Sequence, residues 1–282
     1  MPLPRKKPEN MTPALTKDLV ADSTRNLLEL LVDSRGIDMA TFVPAEDTSL
    51  IYRRIDFDPA ALSAESALEE SVYDNPLLLC QFRRTSCLID TKRFLIVPGE
   101  HADRAPDYLS ELYPDDSLEI ICDTIDASGA TLAAAVPRKT LGFLKRTFNN
   151  PRVSHRLTPL CRYFGHRTRF GNSGKLHVHL HRGCCDVIAF AGERLLMANT
   201  FAAPTAADAS YFALAAAQEL EFDTECDRMI VSGDTAHREE LMSTLRRYVP
   251  HTMPMIFPSD MLRLGREAMD TPFEIIAGVL TD

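Results

Sequence analysis

The sequence predicts a mixed α/β protein in which one structural unit occurs twice. Three observations carry this. Leu27 to Val43 and Lys175 to Ala191 each read as a strand, an Arg-Gly turn and a second strand that reaches a Phe. A short third strand follows each (Leu50 to Phe57; Leu195 to Phe201), then a proline, Pro59 or Pro204, and an Ala-rich helix. The two copies are offset by about 145–148 residues, close to one domain length. In both halves helices alternate with strands after the antiparallel trio, the pattern of a mixed sheet. A chain of 282 residues is long enough for two cores. The expected organisation is a loose N-terminal arm over 1–23, a first lobe over 24–170 and a second over 171–282.

In the first half, Ala60 to Asp74 is expected as a helix begun by Pro59, with Leu68 and Val72 on one face, and stopped by Asn75-Pro76. Strands follow at Thr85 to Ile89 and Phe94 to Val97, then a short helix, Ala105 to Tyr113. Leu118 to Ile125, a turn at Ala127 to Ala130, and Thr131 to Val136 complete the next strand pair. Leu141, Leu144 and Phe148 form a helical stripe over Arg138 to Phe148, broken by Asn149-Asn150-Pro151. Leu157 to Phe164 reads as a helix leading to a boundary at Arg169 to Gly174. In the second half, Ala206 to Leu220 is a helix apolar on nearly every side, expected between layers. Arg228 to Val231 is a strand, Ser232 to Thr235 a turn, Ala236 to Tyr248 a helix, Met253 to Phe257 a strand, and Pro272 to Leu280 a final apolar strand.

Apolar and charged fractions of 45% and 25% are those of an ordinary soluble protein. The net charge of -9 argues against sequence-independent binding to nucleic acid or anionic lipid. Arg152, His155, Arg156, Arg162, His166, Arg167 and Arg169 crowd one stretch; it reads as solvated surface near the lobe junction, with a polyanion contact as the alternative. No apolar core follows the basic start, and no run of about 18 apolar residues exists, so neither a secretory signal nor membrane insertion is expected. Seven scattered cysteines without a CxxC pair fit reduced thiols in the cytoplasm.

Several stretches, taken in order, resemble an uncharacterised Bacteroidetes protein family. They are Phe94-Leu-Ile-Val-Pro98, Phe148 through His155 leading to Leu157-Thr-Pro-Leu160, Leu195-Leu-Met-Ala-Asn-Thr-Phe201, Asp208-Ala-Ser-Tyr211, Val231-Ser-Gly-Asp234 and Pro272-Phe-Glu-Ile-Ile276. The resemblance covers nearly all of the chain after residue 25. It implies two ribonuclease-H-like lobes with mixed sheets, the actin-like ATPase fold, and no established activity. Active members of that wider superfamily hold Mg-ATP between the halves. Two hairpin turns cradle the phosphates through backbone N–H groups, a carboxylate positions the metal through water, and a Gly-Gly turn takes the adenosine.

Carried onto this chain, the match is partial at each place. Asp33-Ser34-Arg35-Gly36 offers a carboxylate and one glycine, but as Asp-x-x-Gly in place of Asp-x-Gly. His181-Arg182-Gly183-Cys184 has no carboxylate. Ser232-Gly233-Asp234 has one glycine where nucleotide binders have two, and Asp234 adds negative charge. Asp33, Gly36, Gly183, Ser232, Gly233 and Asp234 are therefore the cleft candidates for a cofactor, ATP with Mg if any. The majority reading is ordinary tight turns, with no cofactor and no catalytic residue.

Other chemistry is thinner. His177, His179 and His181 alternate on one strand face, with Cys184 and Cys185 beyond the turn. Residues two apart on a strand stand about 6.5–7 Å apart, so three of these histidines do not converge on one ion. Two could do so with help from a third element; the expectation is no metal. Asp33 with Asp123 or Asp126 could imitate a two-metal nuclease cluster, but no tight motif supports it. No Walker loop, Gly-x-Ser-x-Gly or His-Glu-x-x-His is present. Near Asn199 and Pro204, Thr205 with Asp208 reads as a helix cap. The sequence thus predicts a non-catalytic binding or scaffold protein whose partner is another protein. The alternative is a divergent ATPase or phosphotransferase using the cleft.

Overall fold

The structure is a computed structural model that describes residues 23–44, 46–125, 129–168 and 174–281. The expected arm (but for Ser23), residues 127 and 128 of the turn expected over 127–130, and residues 169–173 of the boundary expected over 169–174 lie outside the described residues. Two five-stranded sheets share one plan. In the first, β1 (Leu27–Asp33), β2 (Gly36–Phe42) and β3 (Ile51–Asp56) form an antiparallel trio. β4 (Arg84–Ile89) and β8 (Arg152–His155) then add parallel strands, giving the order β3-β2-β1-β4-β8. The second repeats order and senses as β11-β10-β9-β12-β13. Its strands are β9 (Gly174–His181), β10 (Cys184–Ala191), β11 (Arg194–Ala202), β12 (Arg228–Gly233) and β13 (Thr252–Pro254). Between β4 and β8 the chain inserts a three-stranded antiparallel sheet of β5 (Phe94–Val97), β6 (Leu118–Ile125) and β7 (Ala130–Pro137).

Eight α-helices cover these sheets among the described residues. They are α1 (Ala64–Tyr73), α2 (Ala105–Leu112), α3 (Arg138–Thr147), α4 (Leu157–Thr168), α5 (Ala206–Glu219), α6 (Arg238–Leu245), α7 (Ser259–Leu262) and α8 (Phe273–Thr281). The period of two in each leading strand decides what it faces. Leu28, Leu30 and Val32 of β1 pack against Leu68 and Val72 of α1 and Leu141 and Leu144 of α3. Leu176, Val178 and Leu180 of β9 pack against Ala209 and Ala213 of α5 and Leu241 of α6. The opposite faces turn to a shared central layer, where Leu160 and Phe164 of α4 meet Phe273 and Ile276 of α8 and Ile188 and Phe190 of β10.

Four expectations need correction. Pro272 to Leu280 is the helix α8, not a strand. It lies between two sheets, with Ile275 toward Leu31, Ala40 and Leu88 and Ile276 toward the central layer. A helix buried on all sides loses its polar stripe, so Phe-Glu-Ile-Ile reads like a covered strand. The α5 helix is instead one-sided: Ala209, Ala213 and Ala216 are buried but Tyr211 is 68% exposed. α1 begins at Ala64, capped by Ser63, which accepts from the Ser66 N–H at 3.1 Å, and not at Pro59. Finally, the Arg/His stretch is not all solvated surface: His155 and Arg156 are buried to 0% and 1% exposure. Strand β8 within it, four residues long, has no legible periodicity. The cap at Thr205 is as expected: its hydroxyl accepts from the Asp208 N–H at 3.2 Å and Asp208 Oδ2 accepts from the Thr205 N–H at 3.1 Å.

The His155 ring ties β8 to the connection between β4 and β5. Nδ1 accepts from the Leu157 N–H at 3.2 Å, so Nε2 carries the proton and donates to the Thr91 carbonyl at 2.9 Å. Burial, reinforced by the Arg156 charge, pushes this imidazole down to about 4. Its stabilising contribution is therefore complete above its unfolded-state value of about 6.5 and is lost as pH falls through about 4, a change of about 3 kcal/mol. Urea unfolding of the wild type and His155→Gln from pH 7 to 4 should show the stability gap between them narrowing as pH falls. Parallel stability curves would contradict this role.

Candidate functional site

Asp33 and Gly36 sit in the β1–β2 turn, and Gly183 in the β9–β10 turn, at facing positions of the two halves. Asp33 Oδ1 accepts from the N–H groups of Arg35 at 2.6 Å and Gly36 at 2.8 Å, closing its own turn. Arg54 of β3 adds a two-pronged contact to Asp33 at 3.0 and 3.1 Å and reaches Asp38 at 2.9 Å. The second turn carries Arg182 and Gly183, both at positive φ (45° and 75°), the pair of conformations a two-residue hairpin loop requires. From it, the Arg182 guanidinium crosses to the first half and pairs with Asp33 and Asp38. The two hairpins are thus tied by the chain's own charges. Burial raises the Asp38 carboxyl, opposed by the Tyr52 hydroxyl and the Arg54 charge.

Deeper in, Arg156 leaves the β8–α4 junction and makes a fully buried polar contact between the halves. Its Nη1 and Nη2 donate to the two oxygens of Asp186, on β10, at 2.6 and 2.8 Å. Nε donates to Asp90, after β4, at 2.8 Å, and Nη2 also reaches Thr200 Oγ1 at 3.0 Å. Glu274 of α8 stands 3.5 Å from Nη1. Burial acts to raise the Asp186 carboxyl, yet Arg156 and His181 hold it well below the usual carboxylate range. His181 Nε2 lies 3.2 Å from Asp186, and His179 Nδ1 lies 2.9 Å from Ser232 Oγ. His177 belongs elsewhere: it stacks on Phe164 with ring centroids 4.0 Å apart.

Beside this network opens a cleft of about 640 Å³. Its walls include Ser232, Gly233 and Asp234 from the sequence candidates, with Arg182, Arg238, Phe257 and Phe273. Asp33, Gly36 and Gly183 do not line it. The structure therefore separates the six candidates into a turn group and a cleft group. Of the nuclease-like candidates, Asp123 is engaged elsewhere, accepting from Ser154, the His155 N–H and Thr158 at 2.9–3.0 Å and joining β6 to β8 and α4; Asp126 is outside the described residues. Sequence reasoning missed Arg156, Asp186, Glu274 and the pairing of Arg54 and Arg182 with Asp33 and Asp38. The available signal was a charge interrupting an apolar run, as Asp186 does before Val187-Ile-Ala-Phe and Glu274 between Phe273 and Ile275.

The glycines explain themselves by packing. A Cβ on Gly36 would stand 2.2 Å from the Ile55 carbonyl, and one on Gly233, at φ 87°, 2.0 Å from the Leu180 carbonyl. At Gly183 the nearest atom would be 4.0 Å away. Gly36→Ala and Gly233→Ala should each cost about 2 kcal/mol or more through forced backbone movement. Gly183→Ala should cost about 1 kcal/mol, from its positive φ alone. Chemical denaturation gives the ranking; a Gly183 variant as damaged as the others would overturn it.

A profile of the family described as protein of unknown function (DUF3822) matches residues 17–252. No curated protein matches the sequence. Among solved structures, a protein of Bacteroides thetaiotaomicron VPI-5482 with an actin-like ATPase fold and unknown function is similar, with TM-score 0.76 and 21% identity, covering 93% of this chain and 98% of that one. The PilM–PilN type IV pilus biogenesis complex is similar with TM-score 0.53 and 15% identity, covering 90% and 97%. Likeness at these identities carries the fold and not the activity. The chain has the actin-like ATPase fold in mixed α/β form and belongs to the DUF3822 family of proteins of unknown function.

Proposed function

We propose that this protein is a non-catalytic binding or scaffold protein that engages another protein, built by duplication of one unit and acting in the cytoplasm. The observation that carries the reading is the Arg182 bridge to Asp33 and Asp38. Nucleotide-binding members of the superfamily place phosphates between these two turns. Here a guanidinium and two carboxylates occupy the gap, and Asp33 already accepts from its own turn and from Arg54. A phosphate chain entering there would meet two buried carboxylates and would have to break the internal pairs. Gly36 and Gly233 serve close backbone approach, which removes the other reason for placing glycine at a phosphate turn. The remaining cleft, about 640 Å³ with apolar and polar walls, is large enough for a peptide side chain or small ligand. Seven free cysteines fit a reducing compartment. Among the described residues no helix is long and apolar enough to cross a membrane.

The competing reading is a divergent ATPase. A ligand at about a hundred times its Kd adds about 2.7 kcal/mol of stability. The expected result is no rise in Tm with millimolar Mg-ATP and no phosphate release. A Mg-ATP-dependent rise in Tm that Arg182→Ala abolishes would put the enzyme reading first.

A further inference from the structure

The inner charges do not balance. In the outer group, Asp33 and Asp38 are matched by Arg54 and Arg182. In the inner group, Asp90, Asp186 and Glu274 share the guanidinium of Arg156, with the His181 imidazole 3.2 Å from Asp186 as the only further partner of that carboxylate's charge among the described residues. Carboxylates still outnumber cations at the floor of the cleft. Glu274 is the least satisfied of the three. It is 3% exposed, and its nearest ion-pair nitrogens, Arg156 Nη1 and His179 Nε2, both stand 3.5 Å away. A charge-assisted hydrogen bond would be about 2.7–2.9 Å.

His179 is 1% exposed, and its Nε2 is buried without a hydrogen-bond partner. Its Nδ1 is engaged with Ser232 Oγ at 2.9 Å, so Nδ1 can carry the proton while Nε2 presents a lone pair. Asp186 uses Oδ1 for Arg156, Thr200 and His181, but Oδ2 for the Arg156 Nη1 alone, which leaves acceptor capacity. One donor atom from each of His179, Asp186 and Glu274 lies within 4.8 Å of the other two. The 3.5 Å between His179 Nε2 and Glu274 Oε2 is close to the edge of a tetrahedron with bonds of about 2.0–2.1 Å. Alternating histidines alone cannot converge, but β10 and α8 supply what the strand lacks.

We propose that His179, Asp186 and Glu274 form a site for a divalent transition-metal ion of the zinc class, with its remaining position toward the cleft. One imidazole and two carboxylates suit zinc and its neighbours better than magnesium or calcium, which favour all-oxygen shells. The ion supplies positive charge where carboxylates outnumber cations. Arg156 then orients Asp186 from the other side, and Ser232 orients His179.

The test uses the full chain, stripped with a chelator and titrated with zinc by calorimetry, with bound metal counted by elemental analysis. The expected result is one zinc per chain at micromolar Kd or tighter, with no comparable binding of magnesium or calcium. Glu274→Gln, nearly isosteric, and His179→Gln should each weaken binding at least about tenfold. Ser232→Ala, which leaves all three ligands in place, should weaken it about tenfold, and His251→Ala, at an exposed histidine, should leave it unchanged. Circular dichroism and melting identify the variants that fold. Zinc uptake that is absent, or that persists at full affinity in the folded Glu274, His179 or Ser232 variants, would overturn the site.

Discussion

The fold turns on one interaction, the paired hydrogen bonds of Arg156 with Asp186. Arg156 belongs to the β8–α4 junction of the first half and Asp186 to β10 of the second, and both are fully buried. Removing two such charges from water is costly, and the cost is offset only when geometry is good and the remaining protons and lone pairs are used. Both oxygens of Asp186 and all three guanidinium nitrogens of Arg156 are engaged. That requirement fixes how the central helices lie. α4 starts at the residue after Arg156, and α8 begins with Phe273 beside Glu274, so two helices and two sheets are indexed to one guanidinium.

Everything nearer the surface follows from this closure. With the halves held at Arg156, the two hairpin turns face each other, and Arg182 can pair with Asp33 and Asp38. The C-terminal segment crosses in the same way: the Thr48 N–H donates to the Arg263 carbonyl at 2.7 Å and the Tyr52 N–H to Glu267 at 2.7 Å, covering the open side of β3. A pairing edge is thereby closed. The cleft flanked by Ser232, Arg238 and Phe273 stays open beside this network.

The sheets were legible because half-buried and covered strands leave periodic or apolar runs, and the Arg-Gly turns marked both leading hairpins. Thr205 with Asp208 was legible for the same local reason, since a cap is a contact between near neighbours. The centre was not. α8 lost its polar face by lying between sheets, and β8 is too short for a period to show. Arg156 was hidden among exposed basic residues, because composition reports how many charges a stretch has and not which one points inward. Of the candidate site, the turns were visible and their partners were not: Asp33 meets Arg182 across 149 positions of sequence, a separation that no local pattern encodes.

The central claim is that Arg156 and Asp186 act as a unit, and a double-mutant cycle measures it. Arg156→Met should destabilise the protein by about 3–5 kcal/mol, because it leaves the buried Asp186 carboxylate without its guanidinium, and Asp186→Asn by less, because Asp90 and Glu274 still face Arg156. The double variant should be more stable than the sum of the two losses implies by about 2 kcal/mol or more. Losses that add to within about 0.5 kcal/mol would show two independent residues and would contradict the account.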